Sequence, residues 1–338
     1  MASLLALAGL NLDRAYPELG VDAAKRRRSA ATTLLLGAIG QAQRTGADAL
    51  VFVGELFDER CVSPQSVTSL VQILDAYPGQ VLIAPGGDSE GIYASTNWGP
   101  RTFVWSSNDF AAAPEPFGVV QGRGGQRGRS AALPVVSSGG GVSIIVDPEL
   151  ALESTVSWTN GCRGRHSIIC GSADDALDGV TVLAPANPDL GEQWGRAALL
   201  SYDSVGVTNV ERVTLTEQGS AETVDVDVSA FGATEDLLAA LDRTIAVAPE
   251  WSVIRLVGEL PQGVQLPITA GYAPPRDDVA IRTDEISFGF TQADQNDHTA
   301  LAEFVRSLSD ADADERDRHQ AIALGIAALV PSNGAGES

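Results

Sequence analysis

The sequence predicts an α/β protein, with a substantial core and a smaller second unit. Three observations carry this expectation. Apolar strand-like runs alternate with helical spacing from residue 4 to residue 84, the order of an α/β domain. The connections are short, so loops gather at the strand ends, where folds of this kind place their sites. The chain has 338 residues and 44% hydrophobic content, enough for a substantial core plus a second unit.

The elements follow in order. Residues 4–12 open with the apolar run Leu4-Leu5-Ala6-Leu7-Ala8, which is too short for a membrane helix, lacks a cationic leader, and reads as a buried first strand. Residues 49–53 form a second apolar run. Ser63-Pro64 supplies an N-cap and an N1 proline, and Val67, Leu70, Val71 and Leu74 recur at helical spacing until Pro78-Gly79 ends the segment. A strand over 80–84 comes next. From 89 to 130 the signals weaken. Within that stretch, residues 122–129 read as a surface loop whose Arg123, Arg127 and Arg129 are candidate phosphate contacts.

A different unit begins near Tyr202, with strands over 210–215 and 252–257 and an alternating segment over 224–228. Thr234 is placed to cap a helix carrying Leu237, Leu238, Leu241 and Ile245. Residues 261–276 are a proline- and glycine-rich connection. Two C-terminal helical patterns follow, one with Leu301, Phe304, Val305 and Leu308, the other with Ala321, Ile322, Ile326 and Leu329. Residues 332–338 read as a frayed tail.

Net charge is −22 and Lys25 is the sole lysine. Such a surface repels phosphate backbones at long range, so any DNA contact falls to local arginines or to a partner. Cys61, Cys162 and Cys170 form no C-x-x-C pair, which supports neither a disulfide framework nor a zinc ribbon. They read as small buried apolar residues. No stretch approaches a membrane span, and a cytoplasmic location is expected. Gly86-Gly87 and Gly139-Gly140-Gly141 lack a Walker lysine or a spaced dinucleotide fingerprint.

The segment Gly54-Glu55-Leu56-Phe57-Asp58 follows the second apolar run and resembles the metal-binding G-D-x-F-D turn of the calcineurin-like metallophosphoesterases. The likeness extends to their DNA-repair exonuclease branch, the SbcD and YhaO type. Residues 4–12 resemble its opening strand and D-x-H loop, and 25–45 its first helix. Residues 81–89 resemble the strand running into G-N-H-D, and 168–174 the strand ending in G-H-x-H. Val182-Leu183-Ala184-Pro185-Ala186-Asn187-Pro188 is similar to the P-G-x-P segment that follows, and 224–258 to the small capping domain. This resemblance implies a four-layer α/β/β/α sandwich over 1–202, an α+β capping domain over 203–275 and a helical partner-docking region over 276–331.

A two-metal phosphoesterase needs carboxylate, imidazole and amide ligands on several loops, so that two cations about 3.5–4 Å apart activate water and stabilise the transition state. By the resemblance, the D-x-H positions fall on Gly9 and Asn11 and the bridging aspartate on Glu55. The asparagine ligand and the catalytic histidine fall on Gly87 and Asp88, and the last two histidines on Ser172 and Asp174. Only His166, His298 and His319 occur in the chain, and none lies in a matching motif. Asn11, Glu55 and Asp174, with Asp88 at the catalytic position, are thus a vestigial or remodelled oxygen-only set. A remodelled set of this kind suits hard cations such as Mg²⁺, Mn²⁺ or Ca²⁺, whereas a vestigial one holds none. Asp58 matches a family aspartate that holds the turn by hydrogen bonds.

The function so implied is that of an SbcD-like subunit, catalytically inactive or impaired, acting with an SbcC-like coiled-coil ATPase in DNA-end processing, repair or defence against foreign DNA. A homodimer is compatible with it. An active phosphoesterase or nuclease with a carboxylate-rich site, and a non-catalytic interaction scaffold, are the alternatives.

Overall fold

The computed structural model describes residues 2–58, 60–85, 90–104, 111–112, 119–122, 141–146, 165–170, 175–177, 180–188, 190–192, 194–202, 207–216, 221–261, 264–268 and 270–288, with Glu303, Ser307 and Ala321. It has two compact units. The first comprises Met1–Tyr16, Ala24–Asp189 and Gln193–Gln218, and the second Pro17–Ala23, Leu190–Glu192 and Gly219–Ser338.

The first unit opens with β1 (Ala2–Ala8), α1 (Val21–Thr45), β2 (Ala49–Val53), α2 (Pro64–Asp75), β3 (Gln80–Ala84), α3 (Glu90–Ser95) and β4 (Thr102–Val104). Strands β1 to β4 lie side by side and parallel, as strand-helix-strand connections dictate. The continuous apolar run of β2 is buried at all five positions, the signature of a strand covered on both faces. Helix α2 starts where its sequence says. Ser63 is the N-cap and its Oγ accepts from Ser66 N, with proline at the first turn, while Leu70 and Leu74 are buried.

A second sheet holds β5 (Ala111–Ala112), β6 (Val119–Gly122), β7 (Gly141–Val146), β8 (Arg165–Cys170), β9 (Asp175–Leu177) and β10 (Val180–Leu183), in the order β5-β6-β7-β8-β10-β9. The chain then returns to the first sheet. Strand β11 (Arg196–Tyr202) pairs antiparallel with β1, and β12 (Val207–Thr214) with β11. The two sheets face each other, β2 against β7 and β3 against β6. Side chains alternate along a strand, so Leu4, Ala6, Ala8, Val51, Val53, Leu82 and Ala84 of one face join Leu183 of the other sheet in a single core. The fourth, helical layer of the expected sandwich has no counterpart among the described residues.

The second unit carries β13 (Thr223–Asp227), a 3-10 turn (Val228–Ala230), α4 (Thr234–Val247), β14 (Val253–Leu260) and β15 (Ala280–Phe288). Its three strands are all parallel. Leu237, Leu241 and Ile245 of α4 pack with Ile254, Leu256 and Ile286.

Several expectations change. The first unit runs to Gln218, past 202, because β12 completes its sheet. The second unit is a parallel strand-helix-strand arrangement in place of an α+β one. The stretch 276–331 begins with β15, a strand, and its two helical patterns fall outside the described residues, as does the tail 332–338. Thr234 does not cap α4. Ala233 is the N-cap and makes no side-chain cap bond, and the Thr234 hydroxyl accepts from Gln265 N at 2.9 Å. Cys61 is exposed, because it follows the turn at Asp58 instead of lying in a strand. Among the described residues no helix is long and apolar enough to cross a membrane.

Candidate functional site

The C-terminal ends of parallel strands gather loops at one edge of the first sheet. Gly9 N donates to Val53 O at 2.8 Å and Gly54 N to Ala84 O at 2.8 Å, which joins the ends of β1, β2 and β3. The segment after β10 joins them: Ala8 bridges to Pro185, and Asn187 N donates to Gly9 O at 3.1 Å. Two of the loops singled out in the sequence, 9–11 and 54–58, thus meet at this edge together with the 184–188 segment.

Beyond the strand ends, the first two loops stay zipped together. Asn11 N donates to Glu55 O at 3.1 Å, Leu12 N to Leu56 O at 2.9 Å and Asp58 N to Leu12 O at 3.0 Å. The Gly54-Glu55-Leu56-Phe57-Asp58 turn needs its glycine, since Gly54 has φ +80°. Leu56 N donates to Tyr93 Oη at 3.0 Å, and Phe57 is buried 5.9 Å from the Tyr93 ring. Asp58 accepts from Arg60 N at 3.2 Å and its carbonyl accepts from Val62 N at 2.9 Å.

Asn11 and Glu55 are therefore brought together, with Glu55 exposed. Asn11 turns its amide inward: Nδ2 donates to Asn187 O at 3.2 Å and to Gly9 O at 3.4 Å. Its backbone is left-handed, with φ +44°. Asp88, Asp174, Arg123, Arg127 and Arg129 lie outside the described residues, as do Gly87, Ser172, His298 and His319. His166 is on β8. Among the described residues no group of three or more His, Cys, Asp or Glu side chains is placed to hold a metal ion.

Sequence reasoning missed the residues beneath the loops. Asn187, 0% exposed, donates from Nδ2 to Leu10 O at 3.1 Å and Asn11 O at 3.3 Å, and its Oδ1 accepts from Tyr16 Oη at 3.1 Å. Arg27 is also fully buried, its guanidinium 4.3 Å from the Trp194 ring centroid and 5.8 Å from that of Tyr16. Burial holds the Arg27 pKa below its ordinary value, with Tyr16 opposing. One signal was available: Arg27 falls on the stripe Ala24, Arg27, Ala31, Leu34, Ala38, all buried along one face of α1.

The residues present do not fit the two-metal centre that the family resemblance implies. Gly9 stands where a carboxylate is required, and a Cβ built there would meet Pro185 Cβ at 3.0 Å with the backbone at φ +42°. Asn11 stands where an imidazole is required, and its Nδ2 donates to backbone carbonyls of Gly9 and Asn187.

No protein-family model matches the sequence, and no curated protein matches it. One crystal structure is similar over 63% of this chain and 99% of its own, at 13% identity and a TM-score of 0.37. A likeness at that level carries no argument.

Proposed function

We propose that the chain is an SbcD-like member of the metallophosphoesterase fold whose catalytic centre has been lost, and that it acts by binding, together with an SbcC-like ATPase, in DNA-end processing, repair or defence. The single observation that carries the loss is the packing at Gly9. A side chain there would take a left-handed backbone and press its Cβ to 3.0 Å from Pro185, and without the first-loop carboxylate and the imidazoles neither a second metal nor a poised acid for the leaving group is assured. The order of elements supports the fold: parallel strands with converging loops, two facing sheets and a separate small parallel unit later in the chain.

The partnership rests on the sequence. Leu301, Phe304, Val305 and Leu308 recur at the spacing of one helix face, and such a stripe has to be buried against its own domain or another chain. A net charge of −22 makes the partner the main route to DNA, with Arg123, Arg127 and Arg129 as local phosphate contacts. The test is copurification. Full-length protein should copurify with a coexpressed SbcC-like ATPase, and deletion of residues 297–338 should abolish this while the remaining core keeps a cooperative melt. A core that unfolds on truncation assigns those residues to the domain itself and removes the docking proposal.

A further inference from the structure

Every polar atom of the buried Asn187 side chain is used, and each goes to the chain entering the strand-end loops. Its Nδ2 reaches the carbonyls of Leu10 and Asn11, and its Oδ1 takes the Tyr16 hydroxyl. Its backbone carbonyl takes the Asn11 amide at 3.2 Å, and its backbone N–H reaches Gly9 O. A metal ion bound across loops contributes its binding energy to folding by cross-linking them. A fully satisfied buried polar network does the same without an ion.

We infer that this amide hub, Asn187 with Asn11 and Tyr16, has taken over from metal ions the task of holding the first loop against the segment 184–188. The inference rests on the reading of these loops as former metal loops. It follows from the packing described above: the side chain missing at Gly9 leaves space filled by Pro185, and the Nδ2 of Asn11 donates to Asn187 O. The hub is local in sequence on one side only, 9–16, and reaches across to 187. It therefore fixes a long-range closure that the strands alone leave to their last hydrogen bonds.

Thermal melting of the full-length protein tests this, with Mn²⁺ chloride and EDTA as probes. Wild-type protein should melt at the same temperature in either. Asn187→Ala should lower the melting temperature by about 5–10 °C, because it takes a buried partner from each of the Leu10 carbonyl, the Asn11 carbonyl and the Tyr16 hydroxyl. Hydrogen exchange at Gly9, Asn11 and Ala186 should quicken in the same variant. Should Asn187→Ala fail to fold, Tyr16→Phe decides. A lowered melting temperature supports the hub, and one equal to wild type overturns it. The hub is also overturned if Asn187→Ala melts like wild type, or if Mn²⁺ raises or EDTA lowers the wild-type melting temperature. Loss of the hub alone leaves the non-catalytic reading in place, whereas Mn²⁺-dependent nuclease activity in a protein that still melts through the hub removes that reading alone.

Discussion

At position 9 the backbone already sits in the left-handed region, and the space a side chain would enter holds the Pro185 ring. An aspartate there meets both penalties at once. Gly9→Asp should therefore cost about 1–3 kcal/mol of stability, read as a lower urea midpoint, and should gain no Mn²⁺ binding. A variant as stable as wild type that binds Mn²⁺ in titration calorimetry would show that the loop accepts a ligand. Asn11 makes the complementary point. Its identity alone, an amide where an imidazole is needed, was readable in the sequence, but its direction was not, because what turns the amide inward is a carbonyl 176 positions away at Asn187.

Between elements, the connections that frame the first sheet are tied by tyrosines. Tyr77, 1% exposed, ends the stretch after α2 and donates its hydroxyl to Ala47 O, before β2, at 2.7 Å. Burial pushes its pKa up from 10.0 to about 12, with Asp48 adding to the effect. The folded state favours the neutral phenol, so this contribution is whole below pH 10.0 and is lost as pH rises from there towards about 12. Tyr77→Phe should remove that alkaline loss and cost about 1 kcal/mol at neutral pH, where it leaves the Ala47 carbonyl unpaired. Denaturant melts of both proteins across the alkaline range check this. Elements whose cause is local were legible: β2 from five consecutive apolar residues, and α2 from Ser63-Pro64. Sheet membership decided by distant pairing was not. Residues 210–215 read as a strand of the later unit, but β12 belongs to the first sheet because it pairs with β11. Strand β15 carries Arg282, Asp284 and Glu285, charges that read as solvent-facing until β14 supplies Arg255 to pair with Glu285 at 2.8 Å. Asn187 read only as part of a proline-flanked segment, since an amide shows its partners only once the loops have closed.

Over the whole molecule there are two compact units, and in the first the polar side chains at the strand ends serve closure of the loops. The net charge of −22 fits a subunit that meets DNA through a partner, since an unassisted nuclease has to overcome that repulsion to reach its substrate. The central claim is that the chain binds without performing hydrolysis, and a nuclease assay tests it most directly. Purified full-length protein is incubated with end-labelled linear duplex DNA and Mn²⁺, beside Glu55→Ala and Asp174→Ala variants prepared identically. The account predicts that all three release label at the same background rate. Release that requires Mn²⁺ in the wild type and disappears in both variants would contradict it and assign the chain a working, carboxylate-rich site.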